Sequence, residues 1–319
     1  MKKRKRRSSN HKTKPISKKI LSSAQQLLKT KVVNITEWRE AKIAAEDYEK
    51  TVISDNALSK LDPVHAVYTY AQNKLSVFIE QLAQLPALAQ LTNAYADAEN
   101  EYMPSGPPMS PLTNSYFTCW GFFDLCAGVK RESFASVTID LCRFLGVDAG
   151  LLAVFEKMQN SHMGIYVHEG SSDDYIFLRE LITNREIRTI VPSGYRGTQG
   201  EIWFARVMPP PLEGGQFSYS IVLTTPYVMG EVQDNLHFLR RSETAWLEYF
   251  ERNLKKTRHE DAVSAYEFLM KYGLDRNYWN EYIFFAYVNH QQDMIMLAGF
   301  PDTPASLPHT AQGQERLGF

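Results

Sequence analysis

The feature that most constrains the fold is a run of five short apolar segments at 163–168, 174–182, 186–191, 201–208 and 217–224. Each is rich in β-branched and aromatic residues. Gly, Asn, Asp and Pro fill the gaps, which is the composition that strands and their turns require. In the last segment Phe217, Tyr219, Ile221 and Leu223 alternate with Ser218 and Ser220, the period-two pattern of a strand buried on one face. Connections this short favour antiparallel neighbours. The expected unit is a small curled antiparallel β-sheet or partly open barrel. Helix-like segments flank it in the chain, so the expected class is α+β.

Residues 31–103 read as a helical region. Thr36 suits an N-cap, and Asp62-Pro63 joins an N-cap to a proline at the first helical position. Val64, Val67, Tyr68, Ala71, Leu75, Phe78, Ile79 and Leu82 follow at steps of three and four, which puts them on one face. A further helix is expected from Pro86 to about residue 102. Residues 104–115 hold four of the 15 prolines, too many for a helix or a central strand. The aromatic stretch 116–125 reads as a buried strand. A helix is expected over 132–145 with Gly146 as its stop, and Asp148 caps a second one to about residue 160. Helices resume near residue 233, with Trp246, Tyr249 and Phe250 as a buried stripe, and continue over 259–272 and 278–289. The organisation is thus a disordered basic arm (1–30), a helical region (31–103), a Pro-rich connector (104–115), a central α+β module (116–256), C-terminal helices (257–300) and a loose tail (301–319).

Net charge hides an asymmetry. Residues 1–36 hold twelve of the 35 Lys and Arg and none of the 36 Asp and Glu, so the remainder carries 23 basic residues against 36 acidic ones. Lys2, Lys3, Arg4, Lys5, Arg6 and Arg7 are the densest part of that arm. A flexible cationic segment neutralises phosphates and releases their counterions without reading sequence. The expected partner of residues 1–20 is therefore nucleic acid, the ribosome or another polyanion, and the acidic body confines that contact to the arm. Hydrophobic residues make up 44% of the chain, enough for a sizeable core. No apolar run approaches the roughly 20 residues that span a bilayer. The N-terminus has no apolar stretch of the secretory type. Three cysteines, Cys119, Cys126 and Cys142, make no disulfide framework and fit a reducing, cytoplasmic setting.

The stretch from Pro107 to Asp124 resembles a group of uncharacterised bacterial proteins. The likeness continues through Met163-Gly164-Ile165-Tyr166, Val191-Pro192-Ser193-Gly194-Tyr195-Arg196-Gly197 and Thr224-Thr225-Pro226-Tyr227-Val228, and covers about residues 104–255. It implies a bacterial, cytoplasmic origin and a single unit over that range, and lends no activity. A second likeness joins 178–184 to 201–209. It is to a small β-module of bacterial proteins that carry SEC-C metal-binding segments, although the cysteine segment is absent here.

Candidate chemistry is sparse. The loop 192–200 holds Gly194, Gly197 and Gly200 at spacing three around Tyr195 and Arg196. Such a loop lets backbone amides approach a ligand, yet phosphate-binding loops need a strand followed by a helix, and strands flank this one. A hairpin loop that uses glycine for its turns is the stronger reading. If the module binds a ligand, the expected residues are Tyr195, Arg196, Trp203 and Arg206. Cys119, Cys126, His162 and His168 lack the close pairing of a zinc site, so neither metal nor cofactor is expected. Ser115, Cys119, Asp124, His162, His168 and Asp173 include no nucleophile elbow. Glu169, Asp173 and Asp174 sit in turn composition. The expected function is a cytoplasmic interaction protein whose arm contacts a polyanion and whose β-module binds an unidentified protein partner or small ligand. The alternative is a hydrolase or nuclease with its site around Tyr116, Asp124, His162 and His168.

Overall fold

In a computed structural model, which describes residues 15–29, 40, 43, 46–47, 50–103, 112–128, 130–212, 217–232, 238–240, 242–273, 287–289 and 294–298, the strand-like segments close on themselves. They are β1 (Met163–Ser172), β2 (Tyr175–Glu180), β3 (Glu186–Ile190), β4 (Ile202–Met208) and β5 (Ser220–Val222). The order is β1-β2-β3-β5-β4, and β4 pairs back onto β1 to complete a barrel. Every pairing in it is antiparallel except β3–β5, which is parallel. The α+β expectation therefore holds, with one parallel pair that short connections alone do not foresee. Asp173 (φ 52°) and Asn184 (φ 54°) turn the chain between β1, β2 and β3 in the left-handed region, which short polar side chains tolerate.

Alternation sorts β4 into two faces. Trp203, Ala205 and Val207 join Tyr166, Ile176, Leu178, Ile187 and Val222 in the barrel interior. Ile202, Phe204 and Met208 face outward, and all seven residues of the strand are buried. A strand buried on both faces needs a cover, and helices supply it. The cover is α1 (Ile16–Lys29), α2 (Asp55–Leu58), α3 (Pro63–Leu82), α4 (Ala89–Tyr102), α5 (Asn114–Cys119), α6 (Phe134–Leu145), α7 (Ala149–Asn160), α8 (Glu243–Leu254) and α9 (Ala262–Tyr272). Two outer cores result. Phe204 packs with Tyr116, Trp246, Phe250 and Tyr266, whereas Met208 packs with the apolar stripes of α3, α6 and α7.

The local signals act as expected where they are local. Asp62 Oδ1 accepts from the Val64 and His65 amides at 2.9 and 3.2 Å, while its Oδ2 accepts from the Tyr219 hydroxyl at 2.7 Å and ties α3 to β5. Gly146 closes α6 in the left-handed region (φ 74°), and Asp148 caps α7. Three other expectations are corrected. Residues 116–125 are not a strand: Thr113 caps α5, and the chain continues through a π-helical turn, Trp120–Asp124. The aromatics there read as a strand by propensity, yet Tyr116, Trp120 and Phe123 recur at helical spacing. Residues 233–237, where helices were expected to resume, lie outside the described residues, and strands stand on either side of them. These are β6 (Tyr227–Val232), which pairs with β4, and β7 (Phe238–Arg240), before Ser242 caps α8. The end of the expected helix at 278–289 is instead β8 (Tyr287–Asn289), antiparallel to β9 (Met294–Ala298), which lies parallel to β6. Strand pairing against a long-range partner overrides local preference at such sites.

Residues 1–14, which include Lys2, Lys3, Arg4, Lys5, Arg6 and Arg7, and the expected tail 301–319 lie outside the described residues. So do 104–111 of the connector. Residues 16–29, read as the end of the arm, form α1. Its first amides would be unsatisfied without a cap, and the Glu132 carboxylate meets them. Ile16 N donates to Oε2 at 2.6 Å, and Ser17 N and Oγ donate to Oε1 at 3.0 and 2.9 Å. Glu132→Ala should therefore destabilise the protein by about 1 kcal/mol and speed amide exchange selectively in α1. Hydrogen-exchange mass spectrometry checks this, and exchange unchanged in α1 would show that the contact does not hold the helix.

Candidate functional site

The loop 192–200 brings Tyr195, Arg196 and Trp203 together around a residue not considered in the sequence, Glu201. The Glu201 carboxylate is buried and accepts from Tyr195 Oη (2.8 Å), Trp203 Nε1 (2.9 Å) and Thr198 Oγ1 (3.0 Å). Gly197 (φ 60°) is required here, because a Cβ would stand 2.5 Å from the Trp203 ring and 2.6 Å from Glu201 Oε2. His168 closes the loop from the other side. Its Nδ1 accepts from Gly170 N (3.1 Å) and its Nε2–H donates to Arg196 O (3.0 Å), so both ring nitrogens are used. The ring also packs edge-on against Trp203 at 5.1 Å. Arg196 reaches outward, and its guanidinium donates to Asp173 O at 2.5 Å. Tyr195, Thr198 and His168 thus hold the loop itself, and the hairpin expectation is corrected: β3 and β4 do not pair, because β5 lies between them.

Arg206 is not part of that group. It lies three residues from Trp203, and an odd step along a strand reverses the face. Its guanidinium is fully buried outside the barrel, between Phe204 of one outer core and Met208 of the other. Nη1 donates to Ser161 O (2.9 Å) and Ser161 Oγ (3.0 Å), Nη2 donates to Asp124 Oδ2, and the Phe123 ring lies 5.6 Å beneath it. Lys271, from the last turn of α9, donates to Gln159 O and Ser161 O (3.2 Å) and stands 3.8 Å from Asp124 Oδ1. The π-helical turn delivers Asp124 to this point, and insertions of that kind cluster at sites with special demands.

Of the four residues in the expected catalytic set, Tyr116, Asp124 and His162 therefore surround Arg206, while His168 sits inside the barrel. Burial drives their electrostatics. It raises the Asp124 carboxyl against the pull of Arg206 and Lys271, lifts the Tyr116 hydroxyl well above its usual range, and lowers His162 to about 4. His162 spends its Nδ1–H on Met163 O at 2.8 Å. Asp124 borders a cavity beside α9, whereas His162 borders another at the barrel mouth, so the acid and the base do not face one substrate. Burial also pushes Cys119 to about 11 and Cys126 to about 12, which leaves neither thiol ionised at neutral pH. Among the described residues, no three His, Cys, Asp or Glu side chains gather as a metal site, and no helix is long and apolar enough to cross a membrane.

A candidate surface with no counterpart among the sequence-predicted residues lies on the outer face of β2 and β3. Phe177 is 40% exposed there. Its register partners are Arg188 on β3 and Gly170 on β1, so one flank carries a cation and the other no side chain at all. The Arg188 guanidinium lies 4.7 Å over the Tyr175 ring. A depression of about 580 Å³ runs beside Phe177, with Arg179 and Glu186 on its walls. Arg179 is held by Glu169 (2.7 Å) and Glu243 (2.9 Å), so the surface is rigid and close to neutral. The odd-numbered run Tyr175, Phe177, Arg179 is visible in the sequence as the outward half of a strand, and its apolar member was the available signal.

Arg206→Met leaves a buried carboxylate without its cation and should cost about 3–5 kcal/mol, part of which Asp124→Leu in the same chain restores. Urea denaturation of the single and double variants measures both. His162 has a second consequence. Its folded pKa lies below the unfolded value, so its contribution is intact above pH 6.5 and is lost as pH falls toward about 4. His162→Gln should remove roughly 1–2 kcal/mol of that acid sensitivity, allowing for its partial exposure. Thermal melts across pH 4–7 test the slope.

Comparison with protein-family models, with curated proteins and with solved structures finds no match for this chain.

Proposed function

We propose that this is a non-catalytic, cytoplasmic binding protein for single-stranded nucleic acid. In this reading the basic arm takes the phosphates and the β2–β3 face of the barrel takes the bases. The observation that carries the proposal is Phe177, exposed on the barrel's outer face opposite Arg188 and beside a glycine. An aromatic ring left in water on a rigid strand is a platform on which any base can stack, and a neighbouring arginine adds a cation for the ring or the phosphate. The barrel's strand order, with β3 parallel to β5, is that of the five-stranded Greek-key barrels whose β2–β3 face holds oligonucleotides and oligosaccharides. This is likeness of topology, which supports the placement of a site and not its chemistry.

Charge explains the division of labour. The body outside residues 1–36 has 23 basic against 36 acidic residues, so it repels a phosphate backbone in general. The β2–β3 face is nearly neutral, with Arg179 and Arg188 balanced by Glu169 and Glu186. Stacking suits such a surface. Long-range attraction comes from the arm, residues 1–30, whose eleven cations include Lys2, Lys3, Arg4, Lys5, Arg6 and Arg7.

Fluorescence anisotropy with a labelled single-stranded oligonucleotide tests this. Phe177→Ala should weaken binding about tenfold with the salt dependence unchanged, the scale of one lost base stack. Deletion of residues 2–14, which leaves α1 intact, should flatten the dependence of affinity on salt. Absence of binding at low ionic strength, or affinity indifferent to both changes, would overturn the reading.

A further inference from the structure

A second site lies on the other side of the molecule's buried ion pair. A cavity of about 660 Å³ opens between the π-helical turn, the chain around Arg131, the turn after α8 and the end of α9. Arg131, Lys256, Arg258 and Lys271 line it, and Asp124 is the acidic residue among its walls. Arg131 and Arg258 are exposed at the rim, and among the described residues neither is matched by a carboxylate. Arg131 is also pre-oriented, with its guanidinium 4.6 Å over the Phe268 ring and 4.9 Å over Tyr272. Both arginines sit in the left-handed region, at φ 51° and 65°, a conformation that arginine adopts at a cost.

The wall of the cavity supplies an independent observation. Asp124 has one oxygen bound by Arg206, whereas Oδ1 is buried and has no hydrogen-bond partner. Lys271, the nearest cation, stands at 3.8 Å, too far for a hydrogen bond. A buried acceptor without a donor costs free energy unless something brings one. The cavity thus has unmatched guanidinium groups at its mouth, a buried carboxylate behind its wall, and the flat rings of Trp120 and Tyr272 on its walls.

The geometry points to a nucleoside phosphate as the ligand of this cavity, with its phosphate on Arg131 and Arg258 and its base against the rings of Trp120 and Tyr272. Phosphate geometry matches the guanidinium fork. The volume falls within the range of small-molecule sites, about 300–1,000 Å³. The same phosphate chemistry is offered by a free mononucleotide and by the terminal nucleotide of a bound strand. The site is separate from the barrel face, so it stands or falls apart from the nucleic-acid reading.

The test is isothermal titration calorimetry on the full chain with the four ribonucleoside 5′-monophosphates, inorganic phosphate and the parent nucleosides. At least one monophosphate should bind about tenfold or more tightly than inorganic phosphate and than its own nucleoside, because all three contacts are then made. Arg131→Met and Arg258→Ala, both exposed and compatible with folding, should each weaken it by about tenfold, whereas Phe177→Ala should leave it unchanged. A 5′-phosphorylated oligonucleotide that competes where its 5′-hydroxyl form does not would assign the site to strand ends, and failure of both to compete would assign it to free nucleotide. Binding no tighter than inorganic phosphate, indifference to both arginine variants, or loss with Phe177→Ala would each overturn the proposal.

Discussion

A guanidinium with no access to water dictates much of this structure. Arg206 faces outward from a strand whose opposite face fills the barrel, so it had either to reach solvent or to be enclosed and matched. It is enclosed. Helices arrive over it from both sides of the sequence, and two separate segments supply its partners: Asp124 and the Phe123 ring from the π-helical turn, and Ser161 from the end of α7. Lys271 approaches the same carboxylate from α9, 3.8 Å from its other oxygen. Buried charge of this kind adds little net stability over an apolar replacement, and its value lies in rejecting other arrangements of the same helices. A helix docked one turn out of place would leave Asp124 or Arg206 unpaired at a cost of several kcal/mol.

That constraint explains the bulge before Asp124. A regular helix continued from α5 would advance each side chain by the usual step, and the wider π-helical turn changes the direction in which the last residue points. Cys119 and Gly121 pack on one side of the turn, the latter against the ring of Tyr95 where no Cβ fits. The barrel below is indifferent to these details. Its Glu201 network runs through Tyr195, Thr198 and Trp203 and makes no link to the ion pair across the sheet.

What was legible in the sequence follows from distance along the chain. Asp62-Pro63, Gly146 and Asp148 act within one helical turn, and each did what its type predicts. The alternation over residues 163–224 was enough for a curled sheet, because side-chain period is set by the strand itself. The stretch 116–124 was misread because aromatic content was weighed above spacing. Trp203 and Arg206 were grouped as neighbours although their odd spacing already placed them on opposite faces. Lys271 carried no local signal: its contacts to Gln159 and Ser161 span 112 and 110 residues, and only the closed fold creates them. Phe177 and Arg188 were each visible as outward strand residues, but their pairing depends on register, which the turn at Asn184 sets.

The anchoring of α1 has a consequence for how such a molecule finds a partner. Glu132 pins the start of α1 at Ile16, next to Arg131, so the chain enters the described body at one fixed place. Under the proposed reading, a strand caught by the arm's cations would be tethered, and its second contact would become intramolecular, at millimolar effective concentration for a short linker. Two weak grips, each too feeble to matter alone, would in this arrangement act as a single tight one. Backbone geometry limits the span from that anchor to about 3.5 Å per residue, which bounds the surfaces that such a doubly held strand could join.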